Sequence, residues 1–236
     1  MTEMIIPSKD GKSFTAYVAM PAVLPAPTII MIQEIFGVNA EMRKKCDAMA
    51  AKGYIAVAPD LFWRLEPGVQ LTDKTKEEWT KAFALYNAFD VETGIDDLRA
   101  TAHTFRGHAE STGQVGCVGF CLGGKLAYMM STHTNIDVSV SYYGAGIDAM
   151  LDEVKSIKTP LLMHLAEEDK FISKDAQAKI KEGLAGNPNV TLYSYPGVDH
   201  AFTRINGEHY DEAATKLAHQ RTDDFLKHHL KQAKAA

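Results

Sequence analysis

Gly119-Phe120-Cys121-Leu122-Gly123 decides how the rest of this chain is read. An apolar run, Val115-Gly116-Cys117-Val118, leads into it. Gly124-Lys125-Leu126-Ala127-Tyr128-Met129-Met130 follows with helical spacing. A strand that turns sharply into a helix, with a small residue two positions either side of a nucleophile, is a nucleophile elbow. The glycines have a steric reason: the turn is strained, and a Cβ there would collide with the neighbouring strand or the helix start. The nucleophile in this elbow is a thiol.

The 236 residues suffice for one large α/β domain, and a single domain over 1–236 is expected. At 46% hydrophobic and 23% charged, the composition is that of an ordinary globular protein. A net charge of -5 speaks against a general nucleic-acid binder, which would carry a basic stripe. No apolar window approaches the length of a membrane span. Met1 to Pro7 shows neither a basic n-region nor a long apolar stretch, so no signal peptide and a cytoplasmic location are expected. Three cysteines make no disulfide framework in such a chain. Cys46 falls in a helical pattern and Cys117 in a strand, which leaves Cys121 as the thiol placed to meet a substrate.

Outward from the elbow, strands and helices alternate. Strands are expected over 14–20, 28–32, 55–58, 138–143, 160–165 and 190–195, from alternation or short apolar runs. Helical patterns occupy 39–52, 74–86, 91–109, 174–185 and 210–233, with a short helix around 147–154. The irregular stretch after Pro59-Asp60 is long enough to be a functional lining. Such alternation predicts an α/β fold, a mostly parallel sheet covered by helices on both faces. Ligand sites in these sheets lie beyond the carboxyl ends of the strands.

Two further strand ends carry chemistry. Ala166-Glu167-Glu168-Asp169 leaves one, and Tyr195-Pro196-Gly197-Val198-Asp199-His200 leaves the last. Nucleophile, acid, histidine is the chain order of an α/β-hydrolase triad, here Cys121, Asp169 and His200. Asp169 has the alternative of a solvated turn among Glu167 and Glu168. Asp199 is a poor choice of acid, because adjacent residues rarely point the same way. His164 lies on a strand and is expected buried and satisfied; His228 and His229 are expected at the surface. No His, Cys, Asp and Glu cluster has metal-ligand spacing, and no phosphate-cradling glycine motif occurs, so a cofactor-free, metal-free site is expected.

Together these residues resemble the dienelactone hydrolase family (carboxymethylenebutenolidases). The resemblance runs along nearly the whole chain: Gln33-Glu34-Ile35-Phe36-Gly37-Val38-Asn39, Pro59-Asp60-Leu61, Val118 to Gly124, Tyr142-Tyr143-Gly144, Asp169 and His200-Ala201-Phe202-Thr203-Arg204. It implies an α/β-hydrolase with an eight-stranded, mainly parallel sheet, a monomer, that opens a cyclic enol-lactone to a keto acid (dienelactone to maleylacetate). A broader ester or thioester hydrolase, or a non-catalytic small-molecule binder, are the alternatives. By this resemblance Cys121 attacks as thiolate, His200 supports it, Asp169 orients the imidazole, and Glu34 takes the thiol proton when substrate binds. The N–H groups of Ile35 and Leu122 form the oxyanion hole, and Arg204 holds the substrate carboxylate. Phe36 and Tyr142 are expected to line the substrate pocket. The family's best-described members carry a second arginine before the segment matching Phe89-Asp90. This chain has Trp79 there and no arginine between Arg64 and Arg99, which implies a more apolar pocket able to stack on an unsaturated substrate.

Overall fold

A computed structural model describes residues 2–231. Its strands are β1 (Thr2–Pro7), β2 (Ser13–Ala19), β3 (Ala26–Ile32), β4 (Ile55–Pro59), β5 (Ser111–Phe120), β6 (Val138–Tyr142), β7 (Leu161–Ala166) and β8 (Val190–Tyr195). Its helices are α1 (Ala40–Ala51), α2 (Lys76–Ala88), α3 (Val91–Arg106), α4 (Leu122–His133), α5 (Lys174–Leu184) and α6 (Glu212–His229). The strands form one eight-stranded sheet in the order β1-β2-β4-β3-β5-β6-β7-β8. The expected α/β fold is present. No described helix is long and apolar enough to cross a membrane.

Two compact units emerge from the chain: residues up to 117, rejoined by Leu230 and Lys231, and residues 118–229. In the first, β3 and β4 pair in parallel, while β2 runs antiparallel to β4 and to β1. Every residue of β3 is buried, which is why it reads as an unbroken apolar run. Ile29, Ile30 and Ile32 are fully enclosed, and burying each contributes about 1.5–3 kcal/mol. α1 starts where the Asn39 side chain accepts the Met42 N–H, and α3 starts where Asp90 accepts the Thr93 N–H.

In the second unit, β6 pairs in parallel with β7, and β7 with β8. α4 buries Leu126, Ala127, Tyr128, Met129 and Met130 against this part of the sheet, contacting β6 along its length. Ser173 caps α5 by accepting the Ala176 N–H.

Several expectations are corrected. Thr2–Pro7 forms a strand where none was expected, because only Ile6 among its residues is buried and no core pattern marks it. The short helix around 147–154 is two 3-10 turns, Ile147–Ala149 and Leu151–Ser156. α3 ends at Arg106, capped by Gly107, instead of running to 109. The last helix ends at His229; residues 232–233 of the expected span lie outside the described residues.

Candidate active site

Cys121 stands between the end of β5 and the start of α4 with φ 56 and ψ -115. This is backbone that an L-residue adopts only under strain. Its N–H donates to the Tyr142 carbonyl at 3.1 Å, and its own carbonyl accepts the Lys125 N–H at 3.1 Å. Gly119 has the steric basis expected of it, and Gly124, in the first turn of α4, has one of its own. A Cβ on Gly119 would lie 1.8 Å from the Gly123 carbonyl oxygen, and one on Gly124 would lie 2.3 Å from the Tyr142 oxygen. The elbow closes only because both are bare.

Cys121 also occupies the N-cap of α4, where a Ser or Asp side chain would ordinarily accept an N–H of the first turn; no such cap bond exists here. The first-turn donors, Leu122 N–H among them, therefore have no side-chain cap and are suited to receive negative charge. The thiol itself is partly exposed, whereas Cys46 and Cys117 are buried.

His200 and Asp169 meet in the structure. Nδ1 of His200 donates to Oδ2 of Asp169 at 2.9 Å, and both residues are buried. Asp169 is oriented from its own loop: its Oδ1 accepts the N–H of Phe171 at 2.8 Å and of Ile172 at 3.2 Å. Burial opposes charging the imidazole, but the nearby Cys121 sulfur and the Asp169 hydrogen bond outweigh it. The His200 pKa rises to about 10. Nε2 of His200 is buried and has no hydrogen-bond partner. The sulfur therefore acts on the ring through space, without a hydrogen bond to Nε2. His200 is thus hydrogen-bonded to Asp169 and under the electrostatic influence of Cys121.

Of the two adjacent tyrosines at the end of β6, Tyr143, just past the strand, and not Tyr142 stands against the histidine. The Tyr143 ring lies 5.0 Å from the His200 ring and its hydroxyl is 2.6 Å from Thr203 Oγ1. Tyr143 has φ 39, a turn that swings its ring out of the strand's alternation. Tyr142, expected at the substrate, is instead buried. Its ring stacks on His164 at 4.3 Å and on Phe120 at 4.8 Å, and its hydroxyl sits 2.6 Å from Thr222 Oγ1 and donates to the Ala218 carbonyl at 3.2 Å. It serves the elbow through its backbone. His164 is buried and satisfied as expected, with Tyr195 at Nδ1 (2.7 Å) and Thr222 at Nε2 (3.0 Å), and burial holds its pKa well below the usual value.

Arg204 is buried, and its stem runs over Gly207, where a Cβ would come within 3.3 Å of Arg204 Cδ. Two residues that the sequence did not assign to the site stand next to the histidine. Phe171 presents its ring edge to the imidazole at 4.8 Å while remaining half exposed, and Asp199 accepts the His200 N–H at 2.6 Å.

The remaining expected residues belong to the first unit. Glu34, Ile35 and Phe36 lie in the loop after β3, all three buried. This loop is fixed by its own chemistry. Gln33 accepts the Leu61 N–H at 3.1 Å, the Phe36 carbonyl accepts the Leu71 N–H at 2.9 Å, and Asn39 donates to the Leu71 carbonyl at 2.8 Å. Gly37, at φ 76, passes so close to Val69 that a Cβ would be 2.0 Å from its carbonyl oxygen. The irregular stretch after Asp60 is in turn held by that carboxylate, which accepts the N–H groups of Phe62 (3.0 Å) and Gly68 (2.7 Å). Burial raises the Asp60 pKa against these bonds. Glu34, Phe36, Asn39, Glu41, Met42 and Lys45 line a small cleft. Trp79 meets Phe36 edge to face at 5.1 Å, stacks on Phe83 at 5.5 Å, and donates its indole N–H to the Asp73 carbonyl at 3.1 Å. Lys81, near it in sequence, pairs with Glu66 at 2.6 Å.

Comparison with known proteins points the same way. Residues 14–230 match the dienelactone hydrolase family. A putative carboxymethylenebutenolidase of Azospirillum brasilense is 50% identical, over 98% of this chain and 100% of its own. A carboxymethylenebutenolidase of Pseudomonas putida is 40% identical over 96% of each. Among solved structures, a putative dienelactone hydrolase from Klebsiella pneumoniae superposes with a TM-score of 0.84 at 26% identity, covering 95% of this chain and 97% of that one.

Proposed function

This chain belongs to the dienelactone hydrolase family and is a hydrolase of ester or lactone bonds; from that premise we propose that it opens a cyclic enol-lactone, of the dienelactone-to-maleylacetate type, through a thioester on Cys121. The observation that carries this is the Asp169–His200 hydrogen bond of 2.9 Å on the same imidazole that feels the Cys121 sulfur. The Cys121 thiolate adds to the lactone carbonyl, and the oxyanion is held by the N–H of Leu122 together with that of Ile35. Collapse breaks the ring C–O bond, leaving a thioester and an enolate. Asp169 keeps the imidazole in the tautomer that serves Cys121 and stabilises it when cationic. Water then hydrolyses the thioester with His200 or the enolate accepting its proton, and the thiol is restored. Glu34 takes the proton from Cys121 as substrate binds, and Arg204 receives a substrate carboxylate in a bidentate grip. Cytoplasmic location, a monomeric state and a site without cofactor or metal belong to the same proposal.

Rapid mixing of the enzyme with a dienelactone tests it. A burst equal to the enzyme concentration is expected, with a mass adduct on the Cys121 peptide that is absent from Cys121→Ala. Steady turnover by Cys121→Ala would sink the reading. A broader aryl-ester hydrolase is favoured by one observation, the Phe36–Trp79–Phe83 aromatic series beside Glu34 in the chain. Faster turnover of p-nitrophenyl acetate than of dienelactone would select it.

A further inference from the structure

We propose that Asp199 is a positioning residue: its carboxylate fastens the loop carrying Asp169 to the loop carrying His200 and so sets the imidazole against its acid. The proposal rests on the reading that Asp169 and His200 act in catalysis.

Two separate loops have to arrive in register for the 2.9 Å bond between His200 and Asp169 to form. Within its own loop Asp169 is already aimed by the N–H groups of Phe171 and Ile172. What these bonds leave open is where the histidine loop stands relative to the acid loop. Asp199 answers that with one oxygen. Its Oδ1 accepts the N–H of His200 at 2.6 Å and the N–H of Lys170, the residue after the acid, at 3.1 Å. The two catalytic residues are each held within one residue of the same atom. Backbone bonds also join the loops, from Glu167 N–H to the Tyr195 carbonyl and from Glu168 N–H to the Val198 carbonyl, both 2.9 Å, but they act nearer the strand ends.

The second oxygen does a different job. Oδ2 pairs with Lys170 Nζ at 2.8 Å and lies 3.7 Å from His209 Nε2. The Lys170 side chain is 73% exposed against 13% for Asp199, so this ion pair is screened and contributes little. Acceptor geometry at Oδ1, not charge, is what the site uses. An asparagine, whose Oδ1 accepts in the same place, keeps it.

The test compares Asp199→Ala, Asp199→Asn and His200→Ala on the full chain. Displacing a positioned group by about 1 Å costs on the order of 10²-fold in rate. Asp199→Ala should therefore lose about that much in kcat, with KM little changed, while Asp199→Asn keeps its kcat. The low-field proton resonance of the His200–Asp169 bond should vanish in Asp199→Ala and persist in Asp199→Asn. Wild-type kcat in Asp199→Ala, or a loss in Asp199→Asn as deep as in Asp199→Ala, overturns the proposal. Full activity in His200→Ala removes the catalytic reading beneath it; loss there beside an intact Asp199→Ala overturns the role of Asp199 alone. If Asp199→Ala does not fold, hydrogen exchange on the wild-type protein decides. The amides of Lys170 and His200 should both be protected, and unprotected exchange at the two overturns the proposal.

Discussion

The N–H of Cys121 is held by the carbonyl of Tyr142, 3.1 Å away, while the Tyr142 ring faces the core and ends on Thr222 and Ala218. One residue therefore couples the Cys121 backbone to the packing between β6 and α6.

Tyr142→Phe should cost about 1–2 kcal/mol of stability, the worth of buried hydrogen bonds left unmade, with relative rates across lactones and esters unchanged. Urea unfolding and a substrate panel measure the two. A shifted substrate preference would return the Tyr142 ring to the pocket.

Gly119→Ala drives a Cβ onto the Gly123 carbonyl at 1.8 Å, backbone against backbone, with no flexible atom to yield. A loss of about 3 kcal/mol or more is expected. Gly186→Ala has open space and only its φ of +83 to strain, so about 1 kcal/mol is expected there. Melting temperatures of the two variants check the order; equal losses would refute the steric account.

The His200 pKa should be found near 10 by NMR titration and should fall in Cys121→Ala, which removes the sulfur while burial stays. Because the folded value is raised above the ordinary 6.5, the stabilising contribution is complete below that pH and is lost as pH climbs through about 10. Cys121→Ala should move the loss to lower pH. An unchanged titration in that variant would show that the sulfur does not act on the ring.

Glu34→Gln should fold normally and slow acylation by about 10²-fold or more, the scale of a lost general base. Burst kinetics with the dienelactone report it directly. An undiminished burst rate takes Glu34 out of the mechanism.

Trp79→Arg introduces a guanidinium where the aromatic ring now meets Phe36 and Phe83. It should raise kcat/KM for carboxylate-bearing lactones relative to neutral esters, by about tenfold if one ion pair of about 1.4 kcal/mol forms. No change in that ratio would place residue 79 away from bound substrate.

Much of this was readable from the chain because its chemistry is local. The elbow announces itself through Gly119 and Gly123, and β3 through seven consecutive buried residues. The order Cys121, Asp169, His200 follows from which strand ends carry reactive side chains. β1 escaped notice because an edge strand with one enclosed residue leaves no periodic trace. The choice between Tyr142 and Tyr143 depends on a positive φ at the strand end, which neither residue type betrays. Asp199 was passed over as an acid for a sound reason, and its hold on Lys170 and His200 arises only when two loops distant in sequence meet. Periodicity reports burial within an element; it carries no information about a hydrogen bond between loops.

The backbone angles of Cys121 have an evolutionary corollary. A residue held at φ 56 and ψ -115 costs on the order of 1–3 kcal/mol, and glycine alone would relieve it. Mutation toward glycine at this position would make a sturdier protein that no longer has a thiol. A lineage selected only for thermal robustness would drift that way, so keeping sulfur at residue 121 carries a standing cost in stability.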